Sequence, residues 1–588
     1  MSRSVEALEA RINKVRTAFA QDGFLVADDD IVCFRDRIGI RALHRTASSY
    51  DTGAPKVAYY VEGTAFEMGF LMGRLAESEI DRMTETFIDR VFGAMIREAV
   101  RGERLDFTGT HGPRIIRIHG LLVGLVRDMI RARGVLSDVP RRIHQEIRGI
   151  LAGSREAARL ENRSTSVTEE ELWVLNAGLD CILSRTHTGI LLPAFIRPRD
   201  LRLPIACNGF AILNDAAADG ALFARDYMFP TGGIFQEVAC HVIYNPVSDD
   251  DEPRLPFVSM TAPGIIGSIS AMNTAGVAAG VDVAVGGNCD PRRPGFNSLL
   301  LVRDCIEHGH RADGALQRIL SARRGVTWNY ILADGGGDTD RACVVEAGAS
   351  VPHIAFAGYP VESQRPLLPN REFLDQHPSA EQVRGAMTRW DDFRLPAEYL
   401  EFNPPLWARF QKLMPIDGLA ARGRINSTPT DRNLPGAFYF APLRGRPGQV
   451  ILTTNHFVIP EMRLCSMHPW ASRVAKPRLN DSQWRYDELN HRILATLDRK
   501  EPIDEASAKR LLSFLAPDGD FPDYYRLNPK SRDGEQTLIL GSSSLFNLKA
   551  RTVESHYGYF ADPWIKIHLT DYVGDPLFPP DASTAPQE

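Results

Sequence analysis

Arg202-Leu203-Pro204-Ile205-Ala206-Cys207-Asn208-Gly209-Phe210-Ala211-Ile212-Leu213 is the stretch on which the reading of this chain turns. Small residues precede Cys207 and a strand-like run follows it. A polar turn, from Asn214-Asp215 to Asp219-Gly220, leads into a second apolar run that ends in Phe223-Ala224-Arg225-Asp226-Tyr227. Two short apolar runs around a Gly- and Asp-bearing turn predict a β-hairpin. A cysteine stands at its very start and an arginine near its end. Most cysteines are buried and inert, so the rest of the chain has to decide between a structural thiol and a nucleophile.

Upstream of the hairpin the pattern is helical. From Thr64 to Ala99 the apolar residues Phe66, Met68, Phe70, Leu71, Ile80, Met83, Phe87, Val91 and Met95 recur near helical spacing. Gly69 and Gly73 punctuate its first turns, which points to close packing of another element. Helical periodicity returns at Ile115–Arg131, Val139–Arg159 and Glu169–Leu183. Downstream, strands are expected at 207–214, 220–227, 238–244, 264–271, 276–285, 329–333, 342–346 and 449–455, with a closing pair at 551–559 and 564–569. Helices are expected at Asn297–His308, Asp313–Ser321, Asp481–Leu497 and Ile503–Leu515. This divides the chain into an N-terminal extension (1–55), a helical N-terminal segment (56–206) and a core (207–588). Within the core, residues 360–445 are rich in Pro, Arg and aromatics and read as an insertion. Strands, then helices, then strands predict an α+β fold with sheets covered by helices.

Composition excludes several classes. The 588 residues exceed one ordinary core. A formal net charge of −6 provides no basic field for nucleic acid. The eight cysteines form no CxxC pair, which excludes a zinc signature and a disulfide framework. No apolar run is long enough to span a bilayer, and the charged start lacks an apolar signal core. A cytoplasmic protein without an integral membrane segment is expected, with no metal and no cofactor.

Several segments then fall into a known order. They are Glu62-Gly63-Thr64-Ala65-Phe66-Glu67-Met68-Gly69 with Met72-Gly73; Leu172-Trp173-Val174-Leu175-Asn176-Ala177; the Cys207 hairpin; Met272-Asn273-Thr274-Ala275-Gly276-Val277-Ala278-Ala279-Gly280; Asn329-Tyr330-Ile331-Leu332-Ala333-Asp334; and Thr454-Asn455-His456-Phe457. Together they resemble the acyl-coenzyme A:6-aminopenicillanic acid acyltransferase family, the C45-type peptidases among the N-terminal-nucleophile (Ntn) hydrolases. The resemblance implies an αββα four-layer sandwich and self-cleavage before Cys207. It also implies a cysteine hydrolase or acyltransferase working on amide or thioester bonds of a small-molecule acyl or amide substrate. A free α-amine with a pKa near 8 can serve as base to the thiol on the same residue, and Cys is the side chain most easily activated in this way.

The resemblance places Asn455 as an oxyanion donor and Arg225 near the nucleophile. Ser482 and Arg485 resemble a late "SxxR" pair of the family, and a spacing of three puts them on one helix face. Two departures stand out. The family's Arg-Asn-x-Asp pattern here reads Arg225-Asp226-Tyr227-Met228, so the acid is displaced and Asp226 is the candidate to replace it. Asp282 stands where relatives often carry Asn, and an ionised Asp cannot donate to an oxyanion. Plainer roles compete at each position. Cys207 could be a buried structural thiol, Arg225 and Asp226 a surface pair, Asn455 a turn residue and Asp282 a loop-end cap. A phospholipase B-like hydrolase of lipids or N-acyl amides, and a non-catalytic binding protein on the same scaffold, are the alternative functions.

Overall fold

A computed structural model describes residues 2–49, 52–87, 135–187, 207–228, 234–248, 252–284, 292–350, 380–383, 385–394, 444–459, 481–515, 541–557 and 562–574, with a few single positions between them. These residues form four layers, helix–sheet–sheet–helix, the αββα arrangement of an α+β fold.

The smaller sheet has six strands, all antiparallel. In spatial order they are Val450–Thr453, Asn208–Ile212, Leu222–Tyr227, Ser542–Asn547, Thr552–Tyr557 and Ile565–His568. Asn208–Ile212 and Leu222–Tyr227 are the hairpin, in the register Gly209 opposite Arg225 and Asn208 opposite Asp226. The larger sheet has twelve strands. Its central members Val277–Val283 and Trp328–Asp334 face the hairpin across the sandwich. The helices Ser298–His308 and Ala312–Ser321 pack against this part of the large sheet, and Asp481–Asp498 and Glu505–Leu512 cover the small one. Asp334-Gly335-Gly336-Gly337-Asp338 lies in the turn between the paired strands Trp328–Asp334 and Arg341–Ala347.

Side chains alternate across a strand, and the two cores record that alternation. Phe210, Ile212, Leu222 and Ala224 pack outward with Tyr486, Leu489, Ile493 and Leu512 of the covering helices. Cys207, Ala211, Phe223 and Tyr227 belong to the core between the sheets.

The N-terminal part is built into the large sheet rather than laid over it. Arg37–Ser48 pairs with Pro55–Gly63, and Pro55–Gly63 pairs in parallel with Cys240–Pro246. The boundary expected after residue 55 thus falls at the first residue of a strand that pairs with the one before it. Ala65–Leu75 packs against Arg141–Leu160 at very short range. A methyl on Gly69 or Gly73 would stand 2.1 or 2.2 Å from the carbonyl oxygen of Glu146 or Ile150. Gly149 and Gly153 face Phe66 and Phe70 in the same way.

Strands that escape the sequence pattern include Pro55–Gly63, Phe257–Thr261 and Ser542–Asn547. The strand expected at 264–271 is instead largely a connection, followed by the strand Ser270–Asn273. Asn176 grips this connection, donating to the Gly264 carbonyl at 2.7 Å and accepting from the Ile266 N–H at 2.8 Å. Within the expected insertion 360–445, Ala380–Val383 and Ala386–Trp390 form an edge hairpin of the large sheet. The helix expected at Ile115–Arg131 and the tail after Gly574 lie almost wholly outside the described residues.

Candidate functional site

Cys207 sits immediately before the strand Asn208–Ile212 and is fully buried. Its backbone N–H donates to Asn455 Oδ1 at 2.7 Å. Its carbonyl accepts from Arg485 Nη1 at 2.6 Å. Arg485 also reaches Asn208 Oδ1 at 2.6 Å and Asn455 Oδ1 at 2.8 Å. A single guanidinium thereby fixes the Cys207 backbone and the amide that holds its nitrogen. The planar fork of Arg suits this multiple contact.

Asn455 follows the strand Val450–Thr453 in Thr454-Asn455-His456-Phe457, and neighbouring groups hold that turn. Asn329 Nδ2, from the facing sheet, donates to the carbonyls of Thr454 and His456, each at 2.8 Å. Asn455 Nδ2 donates to the Val283 carbonyl at 2.8 Å. Ser482 Oγ lies 2.7 Å from His456 Nδ1 and 3.0 Å from Thr454 Oγ1. The Asn329 and Thr454–Phe457 motifs, far apart in sequence, are two parts of one support.

Arg225 and Asp226 are both fully buried, which excludes a surface pair. They point to opposite layers. Arg225 turns toward the large sheet, where its Nη1 donates to the Ile269 carbonyl at 3.0 Å and to Ser270 Oγ at 3.2 Å. Its Nη2 stands 3.2 Å from Asp282 Oδ1. Gly280 gives it room, because a methyl there would come within 2.4 Å of Arg225 Cδ. Asp226 turns toward the covering helices, where it accepts from Ser543 Oγ and, at 3.3 Å, from Asn208 Nδ2. Burial pushes its carboxyl up to about 7, against the pull of these two donors.

Asp282 lies inside the strand Val277–Val283 and is fully buried, so it caps no loop end. Neither of its oxygens receives an aligned hydrogen bond, despite the nearby Arg225 charge. The hydroxyl of its neighbour Thr453 is directed to the Thr454 carbonyl at 3.4 Å. Burial raises its carboxyl above the ordinary range, while Arg225 and Arg485 pull it down. The Cys207 thiol is pushed up by burial and then by the Asp282 charge; Arg225, the Met228 backbone N–H and Arg485 act the other way.

The structure therefore gathers Cys207, Arg225, Asp282 and Asn455, and sets Asp226 on the far side of the hairpin. The Cys207 nitrogen is taken by Asn455 rather than by either aspartate. Arg485 was visible in sequence only through its short motif with Ser482, and Asn208 and Ser543 carried no signal. Among the described residues no helix is long and apolar enough to cross a membrane.

No protein-family model matches the chain. An uncharacterized protein of Archaeoglobus fulgidus is 26% identical over 521 residues, covering 88% of this chain and 66% of its own length, just under two thirds. Solved structures similar to this one include a Caenorhabditis elegans ortholog of N-acylethanolamine-hydrolyzing acid amidase. It has 9% identity and a TM-score of 0.28, with 58% of this chain and 93% of that one covered. A mutant of the conjugated bile acid hydrolase of Clostridium perfringens has 12% identity and a TM-score of 0.29, over 62% and 92%. The penicillin V acylase of Agrobacterium tumefaciens has 10% identity and a TM-score of 0.28, over 62% and 88%. None of these likenesses carries a residue role to this chain.

Proposed function

We propose that this protein is a cysteine amidohydrolase or acyltransferase of the N-terminal-nucleophile kind, made as a precursor and cut before Cys207. The observation that carries the reading is the treatment of the Cys207 backbone. A fully buried thiol in the core between two sheets immediately precedes a strand, and its α-nitrogen is held by a side chain, Asn455, at 2.7 Å. A nitrogen so held is positioned to become a free amine without disturbing the ladder, which starts one residue later.

In the cut protein the α-amine takes the thiol proton, and the thiolate attacks the carbonyl carbon of an amide or thioester. Arg225, on the same inner face, stabilises the thiolate. The Asn455 amide keeps one N–H beyond the one given to Val283, and that N–H is the donor proposed for the oxyanion. Water, or an acceptor amine, then releases the acyl group. The substrate proposed is a small-molecule acyl or amide compound, and the location proposed is cytoplasmic.

Denaturing electrophoresis of freshly made protein tests the reading. Sharing 65.3 kDa in proportion to 206 and 382 residues gives bands of about 23 and 42 kDa, the larger beginning at Cys207. Cys207→Ala stays whole, and Cys207→Ser processes slowly because a hydroxyl is the weaker nucleophile. If wild-type protein remains one band, the non-catalytic binding reading replaces this one.

A further inference from the structure

We infer that Asp282 is the proton acceptor that activates Cys207 in the uncut chain, an assignment that rests on the self-cleavage proposed above. The problem it solves is one of order. Before the cut, the Cys207 nitrogen is an amide that donates to Asn455. An amide nitrogen is no base, so the first reaction of the thiol needs a different one.

Geometry selects Asp282. Residues 207, 209 and 211 share the inner face of their strand, and Cys207 and Ala211 lie in the core between the sheets. A methyl built on Gly209 would meet Asp282 Oδ2 at 3.6 Å. The carboxylate of the facing strand thus lies over the face from which the thiol projects. It is fully buried and paired by charge with Arg225, whose Nη2 stands 3.2 Å from Oδ1 without an aligned hydrogen bond. A buried carboxylate so held keeps lone pairs with which to accept a proton. The other candidates are occupied elsewhere. Asp226 faces outward onto Ser543 and Asn208. His456 Nδ1 is shared between Ser482 and Thr454. The charged and titratable groups acting on the pair are Arg225 from the hairpin, Arg485 from the covering helix, and Tyr227 beside the thiol.

The step balances as follows. Asp282 takes the thiol proton, and the sulfur bonds to the carbonyl carbon of Ala206. The tetrahedral adduct collapses with cleavage of the bond between that carbon and the Cys207 nitrogen, which receives the proton back from Asp282. The product is a thioester and a free α-amine. One water then opens the thioester, giving the Ala206 carboxyl group and the Cys207 thiol. From then on the amine is available as base.

Cell-free translation of full-length chains, chased at a series of pH values and resolved on denaturing gels, tests the assignment. Wild type is expected to cleave at neutral pH. Asp282→Asn is expected to cleave about 10²- to 10⁴-fold more slowly, the ordinary loss on removing a general base, with a rate that climbs into the alkaline range as the thiol ionises unaided. Asp282→Glu restores part of the rate and the neutral profile. Comparing the unfolding midpoints of Cys207→Ala with and without Asp282→Asn separates misfolding from lost chemistry. Asp282→Asn cleaving at the wild-type rate overturns the assignment. So does a slow Asp282→Asn whose pH profile parallels wild type, since that is a structural effect. Wild type that never cleaves fails at the earlier reading, and the role of Asp282 falls with it.

Discussion

Asp226 and Asp282 are two buried carboxylates on either side of one hairpin, and they are kept in opposite ways. Asp226, on the outer face, is served by Ser543 and Asn208. Asp282, on the inner face, has charge nearby but no aligned donor. A hydrogen-bonded buried carboxylate ties layers together. One held by charge without an aligned donor keeps the capacity to accept a proton. The hairpin therefore has an outer side tied by hydrogen bonds and an inner side that carries the proposed chemistry, and Arg485 and Arg225 divide along the same line. Arg485 secures backbone and amides from the helix layer, whereas Arg225 faces the thiol.

The largest expected effect tests the structural side. Arg485→Ala strips donors from the Cys207 carbonyl, Asn208 and Asn455, and it leaves a cavity. A loss of about 3–5 kcal/mol is expected, as when one member of a buried charged network is removed. Urea denaturation of the Cys207→Ala background measures it without interference from cleavage. A loss below about 1 kcal/mol, the range of an exposed pair, would break the comparison.

A smaller effect tests the inner face. Gly280→Ala would push a methyl into Arg225 Cδ. An overpacking cost of about 1–3 kcal/mol is expected, together with slower cleavage because Arg225 is displaced from the thiol. Gly280→Ala with an unchanged unfolding midpoint and wild-type cleavage would show that Arg225 does not depend on this gap.

The effect confined to a pH window concerns Asp226. Its carboxyl titrates near 7 in the folded protein against an ordinary 3.8. The folded state therefore keeps a proton that the unfolded state has lost, so this contribution to stability is fully present below about pH 4 and fades as pH rises through about 7. Asp226→Asn, which keeps the shape of the protonated acid, should flatten that decline, so that its unfolding midpoint relative to wild type is higher at about pH 7 than at about pH 4. Some slope will remain, because burial also raises Asp180 to about 7. An unchanged slope in Asp226→Asn would mean that the outer carboxylate does not titrate as its surroundings dictate.

The hairpin was legible because period-two apolar runs and a polar turn are local signals. Strand alternation already sends the sequence neighbours Arg225 and Asp226 to opposite faces; which of them meets the large sheet was not legible, because the packing of the two sheets decides it. Asp282 and Asn455 were legible as candidates through their motifs, but their partners were not. Asn455 meets the Cys207 nitrogen across 248 positions, and Arg485 meets the Cys207 carbonyl across 278. No strand was expected at Ser542–Asn547, yet it is a central strand of the small sheet. Ser543 is spent on Asp226, and Ser544 on Ser555 at 2.9 Å. Gly264-Ile265-Ile266-Gly267 reads as a strand start, but Asn176 takes hold of its backbone instead.

The parallel pairing of Pro55–Gly63 with Cys240–Pro246 also decides what a cut before Cys207 would look like from outside. Seven paired positions join sequence from before the cut to sequence after it within one sheet. Beyond that seam, Lys56 reaches Asp562 at 2.5 Å and the Tyr557 carbonyl at 2.8 Å in the interior. The two pieces would share a sheet and a core, and neither could leave with its own surfaces intact. Sedimentation or gel filtration under native conditions would report an undivided particle before and after the event. The pieces could trade partners between molecules only by unfolding, so each would keep for life the half with which it was synthesised.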